Sequence, residues 1–166
     1  MIPVIIETLV VGAMPAPSVV VLRPFADEGA ERRVLPIWIG PVEATSIGVA
    51  LEGSEHPRPM THDLIVGLLA ASDTTIDRIE ITNVEGTTFF ASIVLVKDDD
   101  VTFIDARPSD AIAIAVRLQA PIYVSDDVMD SSSFPYSFSP AGRIEAELDE
   151  FHKFIDSVAP EDFTVE

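Results

Sequence analysis

Asp105-Ala106-Arg107-Pro108-Ser109-Asp110-Ala111-Ile112-Ala113-Ile114-Ala115-Val116-Arg117-Leu118 is the stretch on which the fold of this chain turns. Its middle alternates alanine with β-branched residues, as a half-buried strand would. Three features favour a helix instead. Pro108 has a fixed φ and no N–H, which suits the first helical position. Ser109 and Asp110 fall in the first turn, and alanine is the strongest helix former. A helix that is apolar all round is a buried one. With a strand from Val101 to Asp105 before it, the segment reads as strand, proline-led start and buried helix, so the chain mixes sheet with helix.

Upstream, Arg58-Pro59-Met60-Thr61-His62-Asp63-Leu64 has the same local logic. Thr61 is suited to cap a helix running through Ala71, with Asp63 in its first turn. Gly40-Pro41 breaks a preceding strand, and Pro41 begins another helix, to about Leu51. β-Branched runs at Val4–Val11 and Ser18–Leu22 read as an antiparallel pair around Met14-Pro15-Ala16-Pro17, with a third strand near Val34–Ile39. Ile76–Val84 and Thr88–Val96 flank Glu85-Gly86-Thr87 as a hairpin. A second hairpin turns at Asp98-Asp99-Asp100, and Pro121–Val124 is a short closing strand. The expected fold is α/β (α+β): one compact domain with a mixed, largely antiparallel sheet and buried helices, plus a C-terminal amphipathic helix.

The domain is expected over residues 1–130. From Asp126 to Gly142 the composition turns to Ser, Pro, Asp and aromatics, as in a linker or surface loop. The remainder, 131–166, reads as an acidic linker and a helix with one apolar stripe: Ile144, Leu148, Phe151 and Ile155. That helix is expected to pack on its own domain or on a partner subunit.

The totals narrow the choices. Mean hydropathy of +0.33 and 48% hydrophobic residues are those of a folded chain. With no cysteine there is no disulfide, thiolate nucleophile or sulfur-ligated zinc. The charge-free stretch Thr8–Leu22 is interrupted by Pro15 and Pro17, is too short to span a bilayer, and follows Glu7 with no basic region. No membrane association and a cytoplasmic location are expected. The net charge is −18; residues 121–166 hold 11 acidic and 2 basic side chains against 17 and 8 in residues 1–120. Such a charge disfavours non-specific nucleic-acid binding, which rests on Lys and Arg. A patch of Arg23, Arg32, Arg33 and Arg58 would offset it only if the fold gathered them.

Glycine-rich nucleotide loops, the phosphate loop and the Gly-x-Ser-x-Gly elbow are absent. What remains is a set of carboxylates at helix starts and a strand end: Glu43, Asp63, Asp105 and Asp110. Each has a structural explanation, because an acid in the first turn favours the helix dipole and a buried arginine needs a partner. Grouped, they offer a second reading. Asp63, Asp105 and Asp110 could ligate Mg²⁺ or Mn²⁺ through oxygen. Arg58 and Arg107 could hold a phosphate, and His62 could move a proton. No organic cofactor is indicated.

Taken together, the motifs resemble one family. Leu35-Pro36-Ile37-Trp38-Ile39-Gly40-Pro41-Val42-Glu43-Ala44, Arg58-Pro59-Met60-Thr61-His62-Asp63-Leu64 and Asp105-Ala106-Arg107-Pro108-Ser109-Asp110-Ala111-Ile112-Ala113 are similar, in order and spacing, to the three motifs of the bifunctional nuclease (DNase/RNase) domain family. Pro121-Ile122-Tyr123-Val124 fits the strand that follows them. The resemblance implies a nuclease acting on DNA and RNA, a compact domain with a mixed sheet, and a homo-oligomer, dimer or higher. The alternative is a non-catalytic binding or regulatory module whose Arg-Pro motifs are structural salt bridges.

Overall fold

The computed structural model describes residues 1–12, 17–26, 33–54, 56–135 and Lys153. The Val- and Ile-rich N-terminal runs form an antiparallel meander of β1 (Ile2–Val10), β2 (Ser18–Pro24) and β3 (Arg33–Ile39). Two helices follow, α1 (Pro41–Leu51), which starts at its proline, and α2 (Thr61–Ala71). A second meander then runs through β4 (Thr75–Glu85), β5 (Thr88–Lys97) and β6 (Asp100–Ala106). Gly86, at φ +58°, turns its first hairpin, in a backbone region that costs other residues more than glycine. After α3 (Pro108–Leu118) come β7 (Ile122–Val124), α4 (Asp126–Ser132) and β8 (Phe134–Pro135).

The described strands make one sheet in the order β6-β5-β4-β7-β1-β2-β3-β8. β7 is the joint. It pairs antiparallel with β1 and parallel with β4, so three residues connect the two meanders. The sheet is therefore mixed and largely antiparallel, as expected.

α3 lies against β4 and β5, and α1 packs on α3. Pro108 does occupy the helix start, and seven of the eleven residues of α3 are buried. Ile112 belongs to the main core with Leu22, Leu35, Ile47, Ile79 and Ile81, all without solvent exposure. Each such side chain contributes about 1.5–3 kcal/mol through burial. Of the two Arg-Pro helices only α3 is interior. α2 has no fully buried residue; Ile65 and Val66 pack partly on the core while Leu64 and Leu68 face outward.

Two expectations need correction. Thr61 does not cap α2. Met60 is the N-cap, and the Asp63 carboxylate reaches back to accept its N–H at 2.7 Å. Nor are residues 126–135 a linker. Ser125 Oγ accepts from Val128 N–H and starts α4, whose Val128 and Met129 are buried in the core, and β8 pairs with β3. The C-terminal helix expected over residues 144–155 lies, apart from Lys153, outside the described residues.

Candidate functional site

The starts of α1, α2 and α3 meet at one corner of the helical layer, and the meeting is electrostatic. Arg107 is the N-cap of α3 and still extended (φ −70°, ψ 144°), which directs its side chain back over the first turn. Its Nε donates to Asp110 Oδ2 at 2.7 Å and its Nη2 to Asp110 Oδ1 at 3.1 Å, a planar fork on one carboxylate. Its Nη1 stands 3.0 Å from Glu43 Oε1 and ties α3 to α1. Glu43 folds over its own helix start: a Cβ at Gly40 would fall 2.2 Å from Glu43 Oε2. Glycine leaves that carboxylate its room.

Arg107 holds the Asp110 carboxyl below the usual carboxylate range; burial opposes the shift, and a hydrogen bond to His62 adds to it. The same contacts, that to Asp110 first, push the Arg107 guanidinium higher still. Even so, the Arg107 side chain is 65% exposed.

His62 sits inside this cluster, 12% exposed. Its Nε2 lies 3.2 Å from Asp110 Oδ1 and its Nδ1 lies 2.8 Å from Ser46 Oγ, on α1. Ser46 Oγ is buried and accepts from Arg117 Nη2 at 3.2 Å, which leaves the hydroxyl proton for His62 Nδ1. With that placement the neutral imidazole carries its proton on Nε2 and donates it to Asp110; the tautomer follows from the partners. The cluster borders a cleft of about 390 Å³ that also includes Val42, Met60 and Ile65.

Arg117 builds a second cluster on the other side of Ser46. Its Nε donates to Asp63 Oδ1 at 2.6 Å, and its Nη1 donates to Ala113 O at 2.8 Å and Ser46 O at 3.1 Å. The side chain is only 9% exposed. Arg117 lowers the Asp63 carboxyl below its ordinary range, and the Met60 N–H and the charge of His56 act in the same direction. One buried guanidinium thus ties α1, α2 and α3 together. A groove of about 730 Å³, lined in part by His56, Arg58, Asp63 and Arg117, runs along this side.

The expected site residues therefore separate. Glu43, His62, Arg107 and Asp110 come together. Asp63 belongs to the Arg117 cluster, and Arg58 is exposed in its groove. Asp105 borders neither cleft: it lies exposed on β6, opposite Ser92. Two members of the expected arginine patch have separate partners among the described residues. Arg23 pairs with Glu7, Arg33 donates to Ser133 at 2.7 Å and 2.9 Å, and Arg32 is outside the described residues.

The donor set does not fit a carboxylate-held divalent cation. Asp63 and Asp110 each hold an arginine, Asp105 is on a different edge, and among the described residues no three His, Asp or Glu side chains are placed to share one ion. Sequence reasoning passed over Arg117 and Ser46. The available signal was a lone charge at Arg117 in an otherwise apolar stretch, since a charge placed there must find a partner.

Residues 20–137, which hold all three motifs and both clusters, match the bifunctional nuclease domain. The chain belongs to the bifunctional nuclease domain family. Two proteins from separate strains of Mycobacterium tuberculosis, both named as uncharacterized, are each 39% identical over 137 residues, covering 79% of this chain and 81% of theirs. Within this bifunctional nuclease domain, no described helix is long and apolar enough to cross a membrane.

Proposed function

We propose that this chain cleaves phosphodiesters of DNA or RNA in the cleft formed by His62, Arg107 and Asp110. The observation that carries the reading is His62, held between Ser46 Oγ and Asp110 Oδ1 beside an exposed guanidinium. Arg107 has N–H groups beyond its three ion-pair contacts and would hold a phosphate oxygen. Asp110 and Ser46 orient the imidazole. Protonated His62 keeps both contacts, donating from Nδ1 to Ser46 and from Nε2 to Asp110. As a water oxygen bonds to phosphorus and the bond to the leaving oxygen breaks, the Nε2 proton is the one His62 would pass to that leaving oxygen, which replaces Asp110 as acceptor, while the proton of the attacking water goes to solvent. Glu43 and Asp110 flank the guanidinium closely. A short, locally bound strand therefore fits better than a long duplex tracked by many cations.

The second reading, a non-catalytic module, draws on a different observation: the Asp63–Arg117 and Glu43–Arg107 pairs each join separate helices and so have a structural use. One experiment separates the two. Purified protein is incubated with labelled single- and double-stranded DNA and RNA, with Mg²⁺, Mn²⁺ or EDTA, beside His62→Gln and Arg107→Ala variants shown to be folded by their melting transitions. Cutting that persists in EDTA and is lost in His62→Gln supports the His62 site. Cutting that requires a metal, or that survives His62→Gln, overturns it. No cutting under any condition favours the module.

A further inference from the structure

The cleft of His62 and Arg107 has an apolar side that the proposed chemistry leaves unused. Val42, Met60 and Ile65 line it, and none of the three side chains has a strong hydrogen-bonding group. Val42 is 77% exposed, so water covers most of an apolar side chain next to Glu43.

These residues sit on the same helix starts as the charged groups. Val42 follows Pro41, whose fixed φ begins α1, and its β-branched side chain is stiff at χ1. Met60 is the N-cap of α2. Its N–H is taken by the Asp63 carboxylate at 2.7 Å and its carbonyl by Leu64 N–H at 2.9 Å. Ile65 follows His62 by three residues, which makes them neighbours on one face of α2, and it packs against the core. The apolar side is therefore a wall held by fixed backbone, beside the imidazole and the guanidinium.

We infer that this wall receives the face of an unpaired nucleobase next to the phosphate on Arg107, so that the site selects single-stranded nucleic acid. Charge disfavours the other way of holding a strand there. Glu43 and Asp110 both stand against Arg107, and further phosphates beside them would be repelled. The remaining affinity has to come from an uncharged part of the strand. A base offers an apolar face, and apolar side chains hold such faces in sites that take a base out of its stack. In a duplex, neighbouring bases cover those faces. A cleft of about 390 Å³ is at the small end for ligand sites and suits one nucleotide better than a paired segment. The wall meets the base on its face and not on its hydrogen-bonding edge, so being unpaired matters more than identity.

This role for the wall rests on the phosphodiester reading above; binding tests it separately from cutting. Full-length His62→Gln protein is titrated into fluorescently labelled DNA of three kinds. They are a short single strand, the duplex of that strand, and an abasic single strand with every phosphate and no bases. Fluorescence anisotropy should give the base-bearing single strand a dissociation constant about 5-fold or more below the other two. Adding Val42→Ser should weaken the base-bearing strand about 5-fold and leave the abasic strand within about 2-fold. Val42→Phe adds an aromatic face at an exposed position and should tighten the base-bearing strand alone, a gain that misfolding cannot produce. An abasic strand or a duplex bound as tightly as the base-bearing single strand would overturn the inference. So would Val42 variants that move both single strands alike, or no binding of any strand. Cutting that depends on His62 but ignores the bases would remove the wall and keep the catalytic site. Discrimination for bases by a protein that never cuts would support the wall and remove the proposed chemistry.

Discussion

Arg117→Met isolates the tie between the three helices. Methionine keeps an unbranched apolar stem in place and deletes the guanidinium. Removing one partner of a buried ion pair costs about 3–5 kcal/mol, because the other charge is left uncompensated. Asp63 is 36% exposed and can regain water, which moves the expectation to the low end, about 3 kcal/mol. Urea unfolding followed by fluorescence of the single tryptophan, Trp38, should therefore shift its midpoint by about 1.5 M for a slope near 2 kcal/mol per M. The cycle with Asp63→Asn supplies the control: the double variant should be more stable than the summed single losses predict, by at least about 1 kcal/mol. Because Arg117 is only 9% exposed, that coupling should largely survive 0.5 M NaCl. A loss below about 1 kcal/mol for Arg117→Met, or a coupling below about 0.5 kcal/mol, would refute the tie.

Acid titration tests the depressed carboxyls. The folded pKa values of Asp63 and Asp110 lie below their unfolded values, so the unfolded chain binds more protons; the stability they contribute is full above about pH 4 and is lost as pH falls through the folded values. Asp63→Asn should flatten the fall in urea midpoint below about pH 4, and an unchanged slope would count against the pair. Gly40→Ala should displace the Glu43 carboxylate and loosen Arg107, yet cost less than about 1 kcal/mol because that ion pair is solvent-facing. A melting-curve loss above about 2 kcal/mol would show that Glu43 is fixed in place more firmly than its surroundings imply.

The fold was legible wherever a rigid residue coincided with a change of period. Pro108 after a β-branched run marks the strand-to-helix switch, and Gly86 marks the hairpin. α4 escaped notice because its two core residues, Val128 and Met129, are adjacent and too few to set a period among Ser and Asp. Its start depends on a single hydroxyl cap at Ser125. The site was legible in residue type and partly in grouping. The i,i+3 pair of Arg107 with Asp110 is local, whereas Arg117 reaches Asp63 across 54 positions and Ser46 across 71. Sequence proximity made Arg58 and Arg107 the evident partners for the acids. Packing supplied a third arginine, and with it removed Asp63 from the company of Asp110.

The three-residue strand β7 has a consequence for the order in which the chain can assemble. Each meander is made of neighbours in sequence and can form as its own residues become available. The seam between them needs Ile122–Val124, assisted by Ile79 N–H donating to Pro121 O at 3.0 Å and Ser125 N–H donating to Ile81 O at 2.9 Å. A growing chain that has reached only residue 120 holds both halves of the sheet and all the helices of the site, but no strand to join the halves. Joining of the two halves therefore waits on a late, non-local event, a zipper closed from near its end.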